Sequence, residues 1–162
     1  MIEKTFHFCP LCATPLEIRL LSGRQRPVCP ACGWIHFEDP KVAAAVLVER
    51  DGQVLLVQRS GEPFQGSWSL PAGFVDARED PEQAAERECL EETGLVVQVT
   101  GLLELINGRE HESGADIVLV YAAVLVGGEL RAGDDAAAAA FFGRSELPPL
   151  AFLSTKKILD IK

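Results

Sequence analysis

The run from Gly73 to Leu95 constrains the fold and the chemistry of this chain more than any other segment. It reads GFVDAREDPEQAAERECLEETGL and contains one helix-forming stretch with marked ends. Asp80 is a favourable N-cap, Pro81 suits the first helical position, and Gly94 suits a left-handed C-terminal stop. The segment therefore predicts a loop, a helix and a sharp turn, in that order.

Three acidic residues of this helix point to a divalent metal. Glu88, Glu91 and Glu92 are spaced i, i+3 and i+4, so their carboxylates share one helix face. Three like charges on adjacent turns repel one another, and a cation such as Mg²⁺, which prefers hard oxygen ligands, relieves that repulsion. A solvated acidic helix face is the alternative interpretation when these residues are taken alone.

The whole segment resembles the Nudix box, G-x5-E-x7-R-E-U-x-E-E-x-G-U, in which U is apolar. Every fixed position matches, and only Cys89 is unusual, because the family prefers an aliphatic residue there. The resemblance implies hydrolysis of a nucleoside diphosphate linked to another group, with Mg²⁺ or Mn²⁺ as cofactor. The matching positions are Gly73, Glu79, Arg87, Glu88, Glu91, Glu92 and Gly94.

The family resemblance also assigns roles to these positions. Its implied magnesium ligands are Gly73, through the backbone carbonyl, with Glu88, Glu91 and Glu92. The three glutamates are the implied catalytic residues, and Glu88 is the candidate general base. Arg87 is expected to pair with Glu79 and hold the loop against the helix rather than contact the substrate.

Composition and charge narrow the functional classes. Hydrophobic residues make up 48% of the 162 positions, which suffices for a sizeable core in one domain, with or without a small module. No segment approaches the length of a membrane span. The net charge of −9 argues against a binding surface for duplex nucleic acid. Because the first residues lack the apolar stretch of a signal peptide, we expect a cytoplasmic protein.

Four cysteines predict a separate metal-binding module at residues 1–38. They form two C-x2-C pairs 16 residues apart, a spacing typical of structural zinc held by four thiolates. Residues 16–21 and 26–28 predict a β-hairpin between the pairs, and the whole looks like a zinc ribbon. Two disulfides or a redox pair are competing interpretations, and a reducing cytosol disfavours the disulfides. The four expected zinc ligands are Cys9, Cys12, Cys29 and Cys32.

Residues 39–162 form the predicted catalytic domain, of α/β class. Its order of elements resembles the Nudix α/β/α sandwich, which has a mixed sheet. The alanines of the last expected strand favour a helix, but the family has a strand at this position. Ser154 is expected to cap a short closing helix. Strands are expected at residues 42–49, 54–59, 96–100, 102–107, 117–126 and 136–142.

The substrate is less constrained than the reaction. The zinc ribbon is similar to that of the NADH pyrophosphatase branch, but the motif of that branch, SQPWPFPxS, is missing, since residues 104–113 read ELINGREHES. The proline of ADP-ribose hydrolases, expected near Glu110, and the tyrosine of diadenosine polyphosphate hydrolases are missing too. By analogy with the ribbon, a dinucleotide or nucleotide sugar of the NADH, FAD or ADP-ribose type is favoured.

One further acid of the family is missing from its usual place. Many relatives carry it shortly before a strand that ends in phenylalanine, whereas residues 138–142 here read AAAFF. The candidates to replace it are Asp134, Asp135, Glu110 and Glu112.

Two arginines and two aromatic residues are candidates for binding the substrate. Arg59 and Arg109 each offer a guanidinium that can bind phosphate oxygens in bidentate fashion, with a solvated surface arginine as the alternative. Trp68 and Phe64 are candidates for stacking on a base, and for Trp68 a place in the core is the alternative. The expected partner is therefore a small nucleotide, with neither a membrane nor duplex nucleic acid involved.

Two other functions stay open. A non-catalytic nucleotide sensor is disfavoured, because such domains tend to have an eroded box and this one is intact. A ribbon that docks a protein or single-stranded RNA has weak support from Arg19, Arg24 and Arg26. Enzymes of the family are often dimers, so a homodimer is a further expectation.

Overall fold

The computed structural model describes residues 6–111 and 114–160. The chain divides into two compact units, Met1–Asp39 and Pro40–Lys162. In the described part of the chain, no helix is both long enough and apolar enough to cross a membrane.

The first unit is built on an antiparallel hairpin. Strands β1 (Glu17–Leu21) and β2 (Arg24–Val28) pair with Arg19 opposite Arg26. Ser22 and Gly23, the two turn residues, both have positive φ, which is the turn geometry that matches the twist of two paired strands. The predicted hairpin is confirmed. Its second strand begins at Arg24, two residues earlier than predicted.

The second unit contains a seven-stranded mixed sheet. The main order is β5-β4-β3-β8-β7, with β6 paired to β3 and β9 paired to β4. The pairing of β3 with β8 is parallel, and the other pairings are antiparallel. The strands are β3 (Val42–Arg50), β4 (Gln53–Arg59), β5 (Trp68–Ser69), β6 (Ala72–Phe74), β7 (Leu95–Asn107), β8 (Ile117–Gly128) and β9 (Ala136–Gly143).

One helix packs on each face of this sheet. Helix α1 (Pro81–Thr93) buries Ala84, Ala85 and Cys89 against one set of strand residues, and α2 (Leu153–Ile158) contributes Ile158 to the core on the other face. The central strand β3 is buried on both faces, because its alternate side chains enter the two cores. The predicted α/β/α sandwich with a mixed sheet is confirmed.

Two expectations for the strands met different outcomes. The strand at residues 136–142 is confirmed: pairing of β9 with β4 overrides the helical preference of its alanines. The two strands predicted at residues 96–100 and 102–107 are one strand, β7. Its register against β8 shifts on both sides of Gly101, so bulges keep the chain paired where a break was expected.

The prediction that Ser154 caps the closing helix is wrong. Phe152 occupies the N-cap position and makes no side-chain cap bond, and Ser154 lies inside the first turn. The carboxylate of Glu110 satisfies this end instead, because it accepts hydrogen bonds from the backbone N–H groups of Leu153 at 2.7 Å and Ser154 at 3.1 Å.

Candidate active site

Helix α1 has the ends that the sequence predicts, and these ends fix where its acidic face lies. The side chain of Asp80 accepts a hydrogen bond from the N–H of Glu82 at 2.9 Å, and Pro81 is the first helical residue. Gly94 ends the helix with a φ of 69°. An added Cβ at Gly94 would collide with the carbonyl of Glu129, so glycine is needed at this position for space as well as for backbone conformation.

Glu92 is the deepest acid of the helix. It is 6% exposed and accepts a hydrogen bond from the N–H of Ala72 at 3.0 Å, which ties α1 to the start of β6. Burial raises the pKa of Glu92 to about 9, and the nearby charges of Asp135 and Glu88 add to the rise. Several carboxylates therefore lie close together at a position where burial disfavours their ionised form.

Glu88 lies against the backbone of Gly73. A Cβ added at this glycine would collide with the carboxylate of Glu88, so the approach requires a residue without a side chain. Burial raises the pKa of Glu88, and the ion pair with Arg87 opposes this effect. The carboxylate is thus held beside the one backbone segment that the sequence predicts as a metal ligand.

Arg87 joins the loop to the helix through four partners. Its guanidinium forms a bidentate ion pair with Glu79, at 2.7 and 3.0 Å, and donates to the carbonyl of Phe74 at 3.1 Å. It also contacts Glu88 at 2.6 Å and Glu91 at 3.1 Å. The predicted contact with Glu79 is present, and Arg87 in addition neutralises part of the acidic face.

The structure places the Glu88 carboxylate against Gly73 and lets Glu88 and Glu91 share the guanidinium of Arg87. Among the described residues, only the four cysteines bring three or more potential ligand atoms within 4.8 Å of one another. Glu91 in particular keeps 45% of its side chain exposed in its pair with Arg87. The acidic group therefore runs from the buried Glu92 to the exposed Glu91.

Two of the four acids proposed to replace the missing family acid, Asp134 and Asp135, lie beside this acidic group. Asp134 raises the pKa of Glu88 through its charge, and Asp135 is within hydrogen-bonding reach of Glu92. The segment that carries them is tied down, because the N–H of Gly133 donates to the carbonyl of Glu92 at 3.1 Å. Glu110 instead caps α2, and Glu112 lies outside the described residues.

A cavity of about 540 Å³ connects this acidic end to a second end, which carries aromatic rings, one arginine and the carboxylates of Glu62 and Glu110. Its volume is in the usual range for sites that bind small ligands. The acidic end is lined by Gly73, Glu88, Asp134 and Asp135, and the other end by Arg59, His111 and Phe152.

The substrate-binding candidates occupy different places. Arg59 lines the cavity, with its Nε donating to the carbonyl of Pro63 at 2.8 Å. Arg109 is 74% exposed at its side chain and pairs with Asp116 at 3.0 Å. Trp68 packs edge-on against Phe142 in the core, which is the alternative that the sequence left open for it. Of these three candidates, Arg59 is the one that the structure brings to the cavity, and the fourth candidate, Phe64, is 39% exposed and packs against His111 and Phe152.

Sequence reasoning missed two contributors to this site. Phe152 lines the cavity, and Glu110 fixes the start of the short helix that follows Phe152. Phe152 has no motif around it, and the capping role of Glu110 depends on a contact 43 residues away in the chain. Neither role has a local signal that could have revealed it.

The four predicted zinc ligands form a cluster in the first unit. The Sγ atoms of Cys9 and Cys32 are 3.6 Å apart and those of Cys12 and Cys29 are 3.5 Å apart, far beyond the disulfide bond length of about 2.05 Å. All five cysteines in the described residues are free. Tetrahedral zinc with bonds of about 2.3 Å places its sulfurs about 3.8 Å apart, so the cluster fits zinc and not disulfides.

The two cysteine pairs repeat one backbone design. The N–H groups of Ala13 and Gly33 donate to the carbonyls of Cys9 and Cys29, respectively, at 2.8 and 3.1 Å. Both Ala13 and Gly33 have positive φ. Each turn thus points two sulfurs in one direction, and the hairpin between the turns brings the two sets together.

Comparison with known proteins agrees with both halves of this description. The model of the NUDIX domain matches residues 39–160, and the model of the Nudix N-terminal zinc ribbon matches residues 7–38. An ADP-ribose pyrophosphatase of Methanocaldococcus jannaschii is 41% identical over 122 residues, which cover 75% of this chain and 72% of that protein.

Two further proteins are similar over most of the chain. The NAD-capped RNA hydrolase NudC of Pseudomonas aeruginosa is 34% identical over 145 residues, which cover 88% of this chain but only half of that protein. The crystal structure of a NUDIX hydrolase from Nitrosomonas europaea superposes with a TM-score of 0.86 at 30% identity, covering 95% of this chain and 88% of that one. This chain therefore belongs to the Nudix hydrolase family, with the N-terminal zinc ribbon that some members carry.

Proposed function

We propose that this chain hydrolyses the diphosphate of ADP-ribose or of a dinucleotide such as NADH, with Mg²⁺ or Mn²⁺ as cofactor. The observation that carries the proposal is the cavity with two chemically different ends. Its acidic end suits a metal-bound diphosphate, and its other end suits an organic group attached to that diphosphate. The names of the archaeal pyrophosphatase and of NudC point to the same class of substrates.

The residues at the acidic end fit a hard divalent cation. Glu88, Glu91, Glu92 and the carbonyl of Gly73 would hold it, since all four offer oxygen, and Gly73 leaves room for Glu88 beside its backbone. A divalent cation supplies charge neutralisation at the phosphate oxygens and lowers the pKa of an attacking water.

The protein side chains divide the remaining tasks. Glu88, held beside Gly73, is the general base that we propose to accept the proton of the attacking water. Asp135 takes the place of the family acid missing from residues 138–142, because it lies beside Glu92. Arg87 orients Glu88 and Glu91 through its ion pairs, and Arg59, which lines the same cavity, binds phosphate oxygens of a substrate that extends to the aromatic residues.

In the first unit we propose a structural zinc ion on Cys9, Cys12, Cys29 and Cys32. Four thiolates close a tetrahedral site, which leaves no position for a substrate and fits a structural role. The two units are proposed to act as a ribbon at residues 1–38 and a catalytic domain at 39–162. The cytoplasmic location and the homodimer remain expectations.

The test is a hydrolysis screen of ADP-ribose, NADH, NAD⁺, FAD, diadenosine polyphosphates and nucleoside triphosphates, with Mg²⁺ or Mn²⁺. Release of AMP from ADP-ribose or NADH is expected, with kcat reduced at least about 100-fold in Glu92→Gln. Glu82→Gln, the same change at an exposed position of the same helix, is the control and should retain full activity.

Two outcomes would oppose the proposal. Cleavage of nucleoside triphosphates alone would assign a different substrate class. Tight binding of ADP-ribose without cleavage of any compound in the screen would favour the nucleotide sensor.

A further inference from the structure

Three rings and one guanidinium meet at one end of the cavity, where Glu110 also lies. The rings of His111 and Phe152 are 26° from parallel, with centroids 6.2 Å apart. Phe64 meets both of them edge-on, at 6.5 and 5.3 Å. The guanidinium of Arg59 lies 5.0 Å from the centroid of Phe152. We call this group of four residues the aromatic end; Arg59, His111 and Phe152 line the cavity, and Phe64 packs against the two other rings.

The aromatic end is assembled from distant segments, and Glu110 connects two of them. His111 follows Glu110 in the loop after β7, and Phe152 directly precedes α2. The carboxylate of Glu110 holds the N–H groups of Leu153 and Ser154, so the loop and the start of α2 are fixed to each other. This bridge sets the position of the Phe152 ring relative to His111.

The aromatic end is accessible, unlike an ordinary aromatic core cluster. His111 and Phe152 line the cavity, neither is buried, and Phe64 is 39% exposed. Aromatic side chains that contribute to a cavity wall offer faces on which a heteroaromatic ring can stack, and a neighbouring arginine adds attraction to the electron-rich face of that ring.

We infer that the aromatic end binds the planar heteroaromatic ring of the substrate by stacking on the wall formed by Phe152 and His111. This inference rests on the proposed function, since it places the diphosphate at the acidic end of the same cavity. Glu110 is a positioning residue that acts through Phe152. Adenine and nicotinamide share the required chemistry, so the ring that binds here determines which nucleotides the enzyme accepts.

The experiment measures KM and kcat for ADP-ribose and for NADH in the wild type and in Phe152→Leu. Loss of stacking on one phenyl face is expected to raise KM about tenfold while kcat changes less than about twofold. Phe37→Leu is the matched control, because it also removes a contact between an arginine and a phenyl ring, that of Arg26 at 4.5 Å. This contact lies in the first unit, so the KM of Phe37→Leu should equal that of the wild type.

The two substrates identify the ring. If adenine occupies the aromatic end, Phe152→Leu raises KM for both substrates, because both contain adenine. If nicotinamide occupies it, KM rises for NADH alone. Either result supports the inference, and unchanged KM for both substrates in an active Phe152→Leu enzyme would overturn it.

A second variant tests the bridge separately. Glu110→Gln keeps the size of the side chain but offers one strong acceptor in place of two, so KM should rise in the same direction, by a smaller factor, with kcat preserved. If the wild type cleaves none of these compounds, the affinity for ADP-ribose is measured by calorimetric titration instead. Binding that Phe152→Leu weakens about tenfold supports the ring site even then, whereas equal binding by both proteins contradicts it.

Discussion

The cysteine cluster and the acidic cluster are both sets of metal ligands, but the chain prepares them differently. Two similar backbone turns bring the four cysteine sulfurs within 4.8 Å of one another. The carboxylates of α1 are instead held by other protein groups, with Arg87 pairing with Glu88 and Glu91 and with Ala72 donating to Glu92. A closed ligand set suits a structural ion, and an open one leaves space for substrate and water.

The charges explain why the difference arises. The carboxylates of α1 carry like charges that repel one another when they are ionised, and burial raises the pKa of Glu92 to about 9. Arg87 relieves part of this repulsion in the absence of metal. The open cluster therefore depends on a supporting ion pair that the closed cluster does not need.

Removal of zinc should have the largest effect, and it should be confined to the closed cluster. Zinc bound by four thiolates contributes roughly 10–16 kcal/mol to the folding of such small modules. We expect a chelator to abolish the protection of the β1 and β2 amides from hydrogen exchange, while the amides of α1 keep theirs. Unchanged exchange at residues 17–28 after loss of the metal would show that the hairpin does not need the ion.

Gly73→Ala should disable the open cluster without unfolding the protein. The new methyl group would collide with the carboxylate of Glu88 and displace it. Misplacing a reacting group by about 1 Å costs roughly 100-fold in rate, and we expect a loss of that order in kcat/KM for ADP-ribose. In Gly101→Ala, where an added Cβ has no neighbour within 4 Å, activity should be unchanged. Full activity of Gly73→Ala would contradict the placement of Glu88.

Of these three changes, Arg87→Lys should have the smallest effect. That effect is on the stability of the fold and on how the stability depends on pH. Arg87 lowers the pKa of Glu79 to about 2, so this pair stabilises the fold above the ordinary glutamate pKa of 4.5, and that contribution is lost as the pH falls from 4.5 towards 2. A lysine cannot form the bidentate pair. The Tm of Arg87→Lys should therefore lie a few degrees below that of the wild type at neutral pH, and it should decrease less than the wild-type Tm on acidification.

The exposed pair of Arg144 and Glu49 supplies the control for this measurement. Its side chains are 45% and 50% exposed, so Arg144→Lys should leave Tm nearly unchanged at every pH. Equal Tm curves for the two variants would mean that the pair of Arg87 with Glu79 is no more important than a surface ion pair.

The sequence predicted the parts of this protein that local patterns determine. Both ends of α1 follow from Asp80, Pro81 and Gly94, and the clustering of the four cysteines follows from their paired spacing. The strand at residues 136–142 needed the family resemblance, since its alanines alone favour a helix. Spaced motifs and turn residues are readable because their physical causes lie within a few positions of the chain.

Features that depend on distant contacts were not predictable in this way. The bulges of β7 at Gly101 are set by pairing with β8, and the cap of α2 comes from Glu110 rather than from Ser154. The sequence could offer four acids only as equal candidates for the missing one: Asp134, Asp135, Glu110 and Glu112, the last of which lies outside the described residues. Packing of the loop before β9 against α1 distinguishes them, because it places the two aspartates beside Glu88 and Glu92.

The most direct test is the metal requirement of ADP-ribose hydrolysis, measured together with the zinc content of the protein. EDTA at a concentration that leaves one zinc per chain should abolish hydrolysis, and Mg²⁺ or Mn²⁺ should restore it completely in the wild type but not in Glu92→Gln. This result would show that the open cluster performs the reaction while the closed cluster stays filled. Activity that follows the zinc content, or that survives without Mg²⁺ or Mn²⁺, would contradict the assignment of the two sites.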